Sequence, residues 1–152
     1  MLLNADAPDE RVKQPATKAG EGFPRAARLL KHSDFERVYK QGRRHFSSHM
    51  TVFYLRQAEG ASAEKGARVG FTVGRVLGGA VQRNRIKRRM REAVRRRRAL
   101  FELGLADAGG GDVAGVDVVI NPKKSVLTVE FGVVVEEVGR TLDAITKKLV
   151  EK

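Results

Sequence analysis

The 152-residue chain, 41% hydrophobic and 32% charged, is long enough for one domain with its own core and too apolar for wholesale disorder. Its formal charge of +12 is self-repelling and points to an anionic partner, either nucleic acid or an anionic membrane. The absence of cysteine excludes disulfides, thiolate zinc sites and thiol catalysis.

At the N-terminus, MLLNADAPDERVKQ carries acids where a signal peptide carries bases, and it has no apolar run of that length. No stretch anywhere approaches the ~20 apolar residues that span a bilayer. Membrane is therefore the weaker partner, and a cytoplasmic protein is expected. Residues 1–22 show no period and predict a disordered tail, leaving 23–152 as the domain. In Ser33-Asp34-Phe35-Glu36-Arg37-Val38-Tyr39-Lys40, Ser33 suits an N-cap, with Glu36 at the capping-box spacing. Phe35, Val38 and Tyr39 share one helical face, and Gly42 is a natural terminator, so a short helix is predicted. Thr51-Val52-Phe53-Tyr54-Leu55 is dense in β-formers and predicts a strand, followed by a polar loop over 57–67. From Arg68 to Gly74 the chain alternates, with Val69, Phe71 and Val73 on one face. Gly70, Thr72 and Gly74 leave the other face bare, which suits either the approach of another backbone or close strand packing.

Gly78-Gly79 breaks the pattern, and a long helix is predicted over about 81–103. Its apolar stripe is Ile86, Met90, Ala93, Val94, Leu100 and Phe101, with Arg85, Arg88, Arg91, Arg95 and Arg98 opposite. Arg97 falls inside the stripe, which predicts either a snorkelling side chain or frayed last turns. Residues 104–115, GLADAGGGDVAG, read as a flexible Gly-rich loop. Val116-Asp117-Val118-Val119-Ile120 reads as a buried strand ended by Asn121-Pro122. Phe131, Val135, Val138, Leu142, Ile145 and Leu149 form the face of a final amphipathic helix, with Lys147 and Lys148 where the helix dipole favours cations. The order helix, strands, long helix, strand, helix predicts an α+β domain in which helices cover one sheet.

Charge is concentrated on the long helix. Residues 83–98, RNRIKRRMREAVRRRR, hold ten bases and one acid, a net +9 of the chain's +12. Solvated helix faces mix signs; here like charges crowd at i, i+3 and i+4, which destabilises an isolated helix by roughly a few tenths of a kcal/mol per pair. An anion relieves that repulsion, so nucleic-acid binding is the favoured reading. A localisation patch or a basic dimeric DNA-reading helix is the competitor, but no leucine zipper follows for the latter.

At Arg83-Asn84-Arg85-Ile86-Lys87-Arg88-Arg89-Met90-Arg91-Glu92 the sequence closely resembles the protein subunit of bacterial ribonuclease P, a family with an Arg-Asn-Arg motif of this form. The likeness runs in order over roughly residues 25–150. Arg28-Leu29-Leu30-Lys31-His32-Ser33-Asp34-Phe35 is similar to the family's opening, and Arg68-Val69-Gly70-Phe71-Thr72-Val73 to its strand before the motif. Gly78, Ala80 and Val81 match the link into the helix, and Val118-Val119-Ile120 with the last helix completes the set. The resemblance implies an α-β-β-β-α-β-α domain of ribosomal-protein-like, two-layer type, with a mixed sheet and a left-handed β-α-β crossover against the usual right-handed rule. It also implies an activity. Ribonuclease P removes the 5′ leader of precursor tRNA, and the catalyst is an RNA subunit that uses magnesium. The protein binds that RNA through the Arg-Asn-Arg helix and holds the leader in a cleft between helix and sheet.

On this chain the implied RNA-subunit contacts are Arg83, Asn84, Arg85, Lys87, Arg88 and Arg91, the arginines being able to pair bidentately with phosphates. Asn84 either bonds a sugar or base edge or caps the helix. The implied leader contacts are Phe35, Tyr39 and Tyr54, since aromatic faces stack on any base. Phe35, beside Val38, also suits an ordinary core. Val76 stands where the family commonly has a second base after Arg75, and Gly79 where an Asn often precedes the Ala, so no contact is carried over to either. Residues 104–115 look like an insertion relative to shorter members.

The chain offers no catalytic constellation. Its acids Asp34, Glu36, Glu92, Asp117, Glu130, Glu136 and Glu137 are scattered, and His32, His45 and His49 lack metal-ligand spacing with a carboxylate. No catalytic residue, metal ligand or cofactor is expected on the protein itself, with magnesium belonging to the RNA. The expected partners are ribonuclease P RNA and precursor tRNA, with neither membrane nor DNA. The alternative is a generic RNA-binding or ribosomal-type protein without a processing role.

Overall fold

The computed structural model describes residues 27–57, 67–108 and 115–151. The expected N-terminal tail and the centres of the loops at 57–67 and 104–115 lie outside them. The elements run α1 (His32–Gln41), β1 (Arg43–Phe46), β2 (Met50–Arg56), β3 (Ala67–Phe71), α2 (Ala80–Ala108), β4 (Val116–Pro122) and α3 (Phe131–Glu151). Single 3-10 turns occupy Arg75–Leu77 and Lys124–Leu127. The strands form one mixed sheet in the order β1-β2-β4-β3, antiparallel except for the β3–β4 pair. This is the α-β-β-β-α-β-α order that the resemblance implies, with α2 joining two adjacent parallel strands.

The central strand β4 is buried on both faces, hence its near-continuous apolar sequence. Val116, Val118 and Ile120 join Met50, Val52, Tyr54 and Val69 in the main core beneath α2 and α3. Val119 turns the other way, to Leu29 and Val38 with Phe35, Phe53 and Leu55. The helix α1 therefore covers the opposite face of the sheet. Each fully buried aliphatic side chain in these layers stabilises by ~1.5–3 kcal/mol.

Several boundaries differ from the sequence reading. The N-cap of α1 is Lys31, with no side-chain cap, and Ser33 lies inside the first turn. Gly42 ends the helix as expected, because a Cβ there would stand 2.5 Å from the Val38 carbonyl oxygen and 2.7 Å from that of Tyr54. The residue pattern did not locate strand β1, the additional strand that the resemblance implies: Arg43-Arg44-His45-Phe46 has no alternating pattern, and its backbone pairs with β2 alone. Asn121 and Pro122 extend β4, paired with Thr51 and Met50, rather than ending it.

In α2, Leu100 is 62% exposed, whereas Phe101 and Leu105 are buried. The helix thus continues through 104–108, which had been assigned to the loop. Steps of four advance about 40° around the helix, so the buried stripe drifts past Leu100 and takes in Leu105. Arg97 does not fray the helix. It lies across α3, where a Cβ on Gly139 would stand 3.0 Å from its Nε. On α3, Val134 is fully buried and had been missed, while Phe131 and Val135 are only half-buried.

Candidate RNA interface

The helix α2 starts at a Gly-Gly turn. Gly78 takes the left-handed φ of +132° that favours glycine, and the Gly79 N–H donates to Gln82 Oε1 at 2.9 Å, half of a capping box. Asn84 lies in the second turn and is exposed, so it does not cap the helix. Val76 and Gly79 are exposed just before and at the turn.

The ten bases of residues 83–98 divide into two sets. Six are engaged within the protein. Arg83 Nε donates to the Gly78 carbonyl at 3.1 Å. Arg89 donates to the Val129 carbonyl at 2.5 Å and lies over the Phe131 ring at 5.5 Å. Arg96 covers the same ring at 5.1 Å, and Arg95 and Arg96 share the lone acid Glu92 at 2.5 and 3.0 Å. Arg98 pairs with Glu102 at 3.1 Å, and Arg97 packs on α3. The hydrogen bonds from Arg95, with that of Arg96, hold the Glu92 carboxyl below its ordinary range despite partial burial. Arg85, Lys87, Arg88 and Arg91 have no acidic partner among the described residues, and all but the half-buried Lys87 are exposed. Burial and the charge of Arg85 both press the Arg89 guanidinium downward, a sign that positive charge here is crowded.

A second surface lies between α1 and the sheet. Gly70 is bare so that Phe35 can lie on it: a Cβ there would stand 2.5 Å from Phe35 Cζ and 3.0 Å from Leu29 Cβ. At Gly70 the bare face is filled by a side chain of α1 rather than by another strand, whereas Gly74 is exposed with nothing within 4 Å of where a Cβ would stand. Tyr39 is tied to the sheet by its hydroxyl, 2.6 Å from Thr72 Oγ1 and donating to Asn121 Oδ1 at 3.0 Å. Its ring meets Phe53 edge to face, centroids 4.9 Å apart and planes at 84°. Arg44 reaches over Phe53 from β1 at 5.7 Å.

An ion cluster fixes α1 in this position. Asp117, fully buried on β4, accepts from Arg37 at 2.5 Å, from two nitrogens of Arg68 at 2.9 Å each, and from Gln57 at 2.8 Å. Asp34 stands 3.6 Å from Arg68 and 3.8 Å from Arg37. Only the loss of both arginines would leave the buried carboxylate uncompensated, at a cost of ~3–5 kcal/mol.

Tyr54 does not belong to this surface. It is 1% exposed and sits in the core beneath α2 and α3, because neighbouring residues of a strand point to opposite faces. The aromatic that β2 presents to α1 is Phe53, which the sequence reading passed over. The two surfaces adjoin. A cavity of about 210 Å³ at the β3 edge is lined by Arg28, Phe35, Gly70 and Phe71 together with Lys87 and Arg91 of α2.

The histidines serve the framework. The His49 N–H donates to Glu137 Oε2 at 2.7 Å, its Nδ1 lies 2.7 Å from Ser125 Oγ, and Glu137 also accepts from Ser47. His45 Nδ1 accepts from Lys148 Nζ at 3.2 Å; burial first, and Lys148 second, hold its pKa below the ordinary value. His32 pairs with Glu36 on the surface of α1 at 3.3 Å. Among the described residues no group of three acids or histidines is placed to hold a metal ion, and no helix is long and apolar enough to cross a membrane.

A one-domain α+β framework with a cation-loaded helix beside an aromatic cleft carries the footprint of nucleic-acid-binding modules. The sequence profile of the family described as Ribonuclease P matches residues 23–146. The ribonuclease P protein component of Finegoldia magna is 34% identical over 101 residues, 66% of this chain and 74% of that protein. That of Carboxydothermus hydrogenoformans is 32% identical over 109 residues, 72% of this chain and 82% of the relative. Among solved structures, the RNase P protein from Thermotoga maritima superposes with a TM-score of 0.57 at 27% identity, covering 76% of this chain and 94% of that one. The Staphylococcus aureus RNase P protein, at 22% identity and a TM-score of 0.58, shares the fold over 80% of this chain and 96% of its own. The chain belongs to the ribonuclease P protein family.

Proposed function

We propose that this protein is the RNA-binding, non-catalytic subunit of a cytoplasmic ribonuclease P that removes the 5′ leader of precursor tRNA. The observation that carries the reading is the set Arg85, Lys87, Arg88 and Arg91, cations without an acidic partner among the described residues, with Lys87 and Arg91 sharing a cavity with Phe35, and with Tyr39 and Phe53 in ring contact on the same α1 side of the sheet. Exposed guanidinium groups grip phosphates of folded RNA and carry no sequence preference of their own. Arg83 and Asn84, on the same stretch of α2, belong to that contact, Arg83 through the nitrogens its bond to Gly78 leaves free. Aromatic faces suit a single strand of any sequence, which is what a leader is and what mature tRNA lacks. The described acids are poorly suited to cleavage chemistry: Asp117 and Glu137, the most buried, are each engaged by donors of the protein itself. Cleavage is therefore assigned to the RNA subunit, with magnesium as that RNA's ion.

The test is reconstitution. Adding the protein to a ribonuclease P RNA at low magnesium is expected to restore 5′ maturation of precursor tRNA, while protein freed of RNA is expected to cleave nothing. Specific maturation by the protein alone would overturn the assignment of catalysis. Tight RNA binding without restored cleavage would favour a generic RNA-binding protein.

A further inference from the structure

The aromatic cleft does not stop at Phe53. Residues facing each other across an antiparallel pair share a face of the sheet. Arg44 faces Phe53 and Phe46 faces Thr51, so Arg44 and Phe46 stand on the α1 side. Phe46 is 69% exposed, on the edge strand of the sheet. A large bare aromatic on an edge strand invites unwanted pairing, and natural edges usually replace it with charge. Here the ring keeps company with a cation: the Arg44 guanidinium lies 5.3 Å from the Phe46 centroid and 5.7 Å from that of Phe53. Tyr39, Phe53, Arg44 and Phe46 thus form a continuous series of flat groups, three aromatic rings with one guanidinium between the last two, running outward to the sheet edge.

The two ends of this series differ. At the β3 side the cleft opens onto the cavity shared with Lys87 and Arg91 of α2. The strand order puts β1 at the opposite edge. A single strand anchored near α2 and crossing the cleft reaches Phe46 last.

We propose that the Arg44–Phe46 pair is an outer stacking step for single-stranded RNA, which takes a leader nucleotide farther from the cleavage site than those at Tyr39 and Phe53. The inference rests on the leader-holding function proposed above and adds to it a dependence on leader length. The guanidinium provides both a phosphate partner and a stacking plane, and Phe46 offers a π-face that any base accepts.

The experiment measures affinity of the assembled holoenzyme for precursor tRNAs whose leaders grow one nucleotide at a time, with Phe46→Ala, Phe46→Leu, Phe46→Trp and Phe53→Ala compared. Thermal melting first verifies that each variant is folded. For Phe46→Ala the loss is expected to grow with leader length and to reach about 5-fold on long leaders, the low end of the ~1–3 kcal/mol measured per stacked base. Phe46→Trp is expected to restore long-leader affinity, and Phe46→Leu, apolar but without a π-face, is not. Wild-type affinity of Phe46→Ala at every length overturns the outer step. So does equal rescue by Leu and Trp, or an equal loss on mature tRNA. If Phe53→Ala lowers leader preference while Phe46→Ala does not, the outer step alone falls. If neither variant changes that preference, the leader-holding function falls with it.

Discussion

The exposed face of α2 and the cleft under α1 are built in opposite ways. On α2 a single element supplies every group, and Arg85, Lys87, Arg88 and Arg91 have no acidic partner among the described residues, Glu92 being taken by Arg95 and Arg96. The cleft is a composite. Tyr39 comes from α1, Phe53 from β2, Thr72 from the end of β3 and Asn121 from β4, with Asp117 at the centre holding the parts together. A surface on one helix needs the helix to form, with only Val129, Phe131 and Gly139 brought from elsewhere to hold the bases at its margin. A surface made by four elements needs the whole fold, and its geometry is as precise as the packing beneath it.

The contrast is testable first through salt. If the α2 face neutralises six or more phosphates, affinity for the RNA subunit should fall by about 10³ or more between 50 and 200 mM salt, with each of Arg85→Ala and Arg88→Ala reducing the logarithmic slope by roughly one. The precursor-over-mature affinity ratio, which depends on stacking, should move far less. A flat salt response of RNA-subunit binding would break the comparison at its stronger side.

The second prediction separates two adjacent aromatics. Tyr54→Ala empties a core position and should cost ~3–5 kcal/mol of stability, read as a lowered denaturation midpoint, with leader preference retained in the folded fraction. Phe53→Ala, on the half-buried cleft side, should cost less stability and lower leader preference by about 5-fold or more. Loss of leader preference from Tyr54→Ala at full folding would return Tyr54 to the cleft.

The smallest effects concern acid. His45 has a folded pKa below its ordinary 6.5, so its neutral form favours the fold above that pH, and this contribution fades as pH falls through the unfolded and then the folded value. The Glu92 carboxyl lies below its ordinary 4.5, so its contribution is complete above that value and is lost on further acidification. Melting temperature should therefore decline in two modest steps, the first removed by His45→Gln and the second by Glu92→Gln. A profile that both variants leave unchanged would show that neither group is coupled to folding.

Much of this organisation is legible in the residues. The helix α3 follows from its apolar spacing, β4 from an unbroken Val-rich run, and the place of the charge from simple counting. The boundaries that failed have physical causes. The end of α2 was hidden because Gly104 looks like a breaker, yet Leu105 is buried one residue later and carries the helix onward. The edge strand β1 has no core side of its own to imprint a pattern, so nothing in Arg43-Arg44-His45-Phe46 marks it.

The sequence by itself determined the three helices and the strands β2, β3 and β4, where the cations lie and to which family the chain belongs, because each is written in local spacing or in an ordered set of motifs. Only the tertiary structure decided which aromatic faces α1. Thr51-Val52-Phe53-Tyr54-Leu55 is apolar on both sides of the strand, so its parity is unreadable until pairing of Phe53 with Val119 and of Tyr54 with Val118 gives one side to α1 and the other to the core. It likewise decided, in part, which of ten bases remain free. Glu92 and Glu102 engage Arg95, Arg96 and Arg98 within α2 itself, one turn away, whereas Arg89, Arg96 and Arg97 are also held by the Val129 carbonyl, the Phe131 ring and α3, which are distant in the chain.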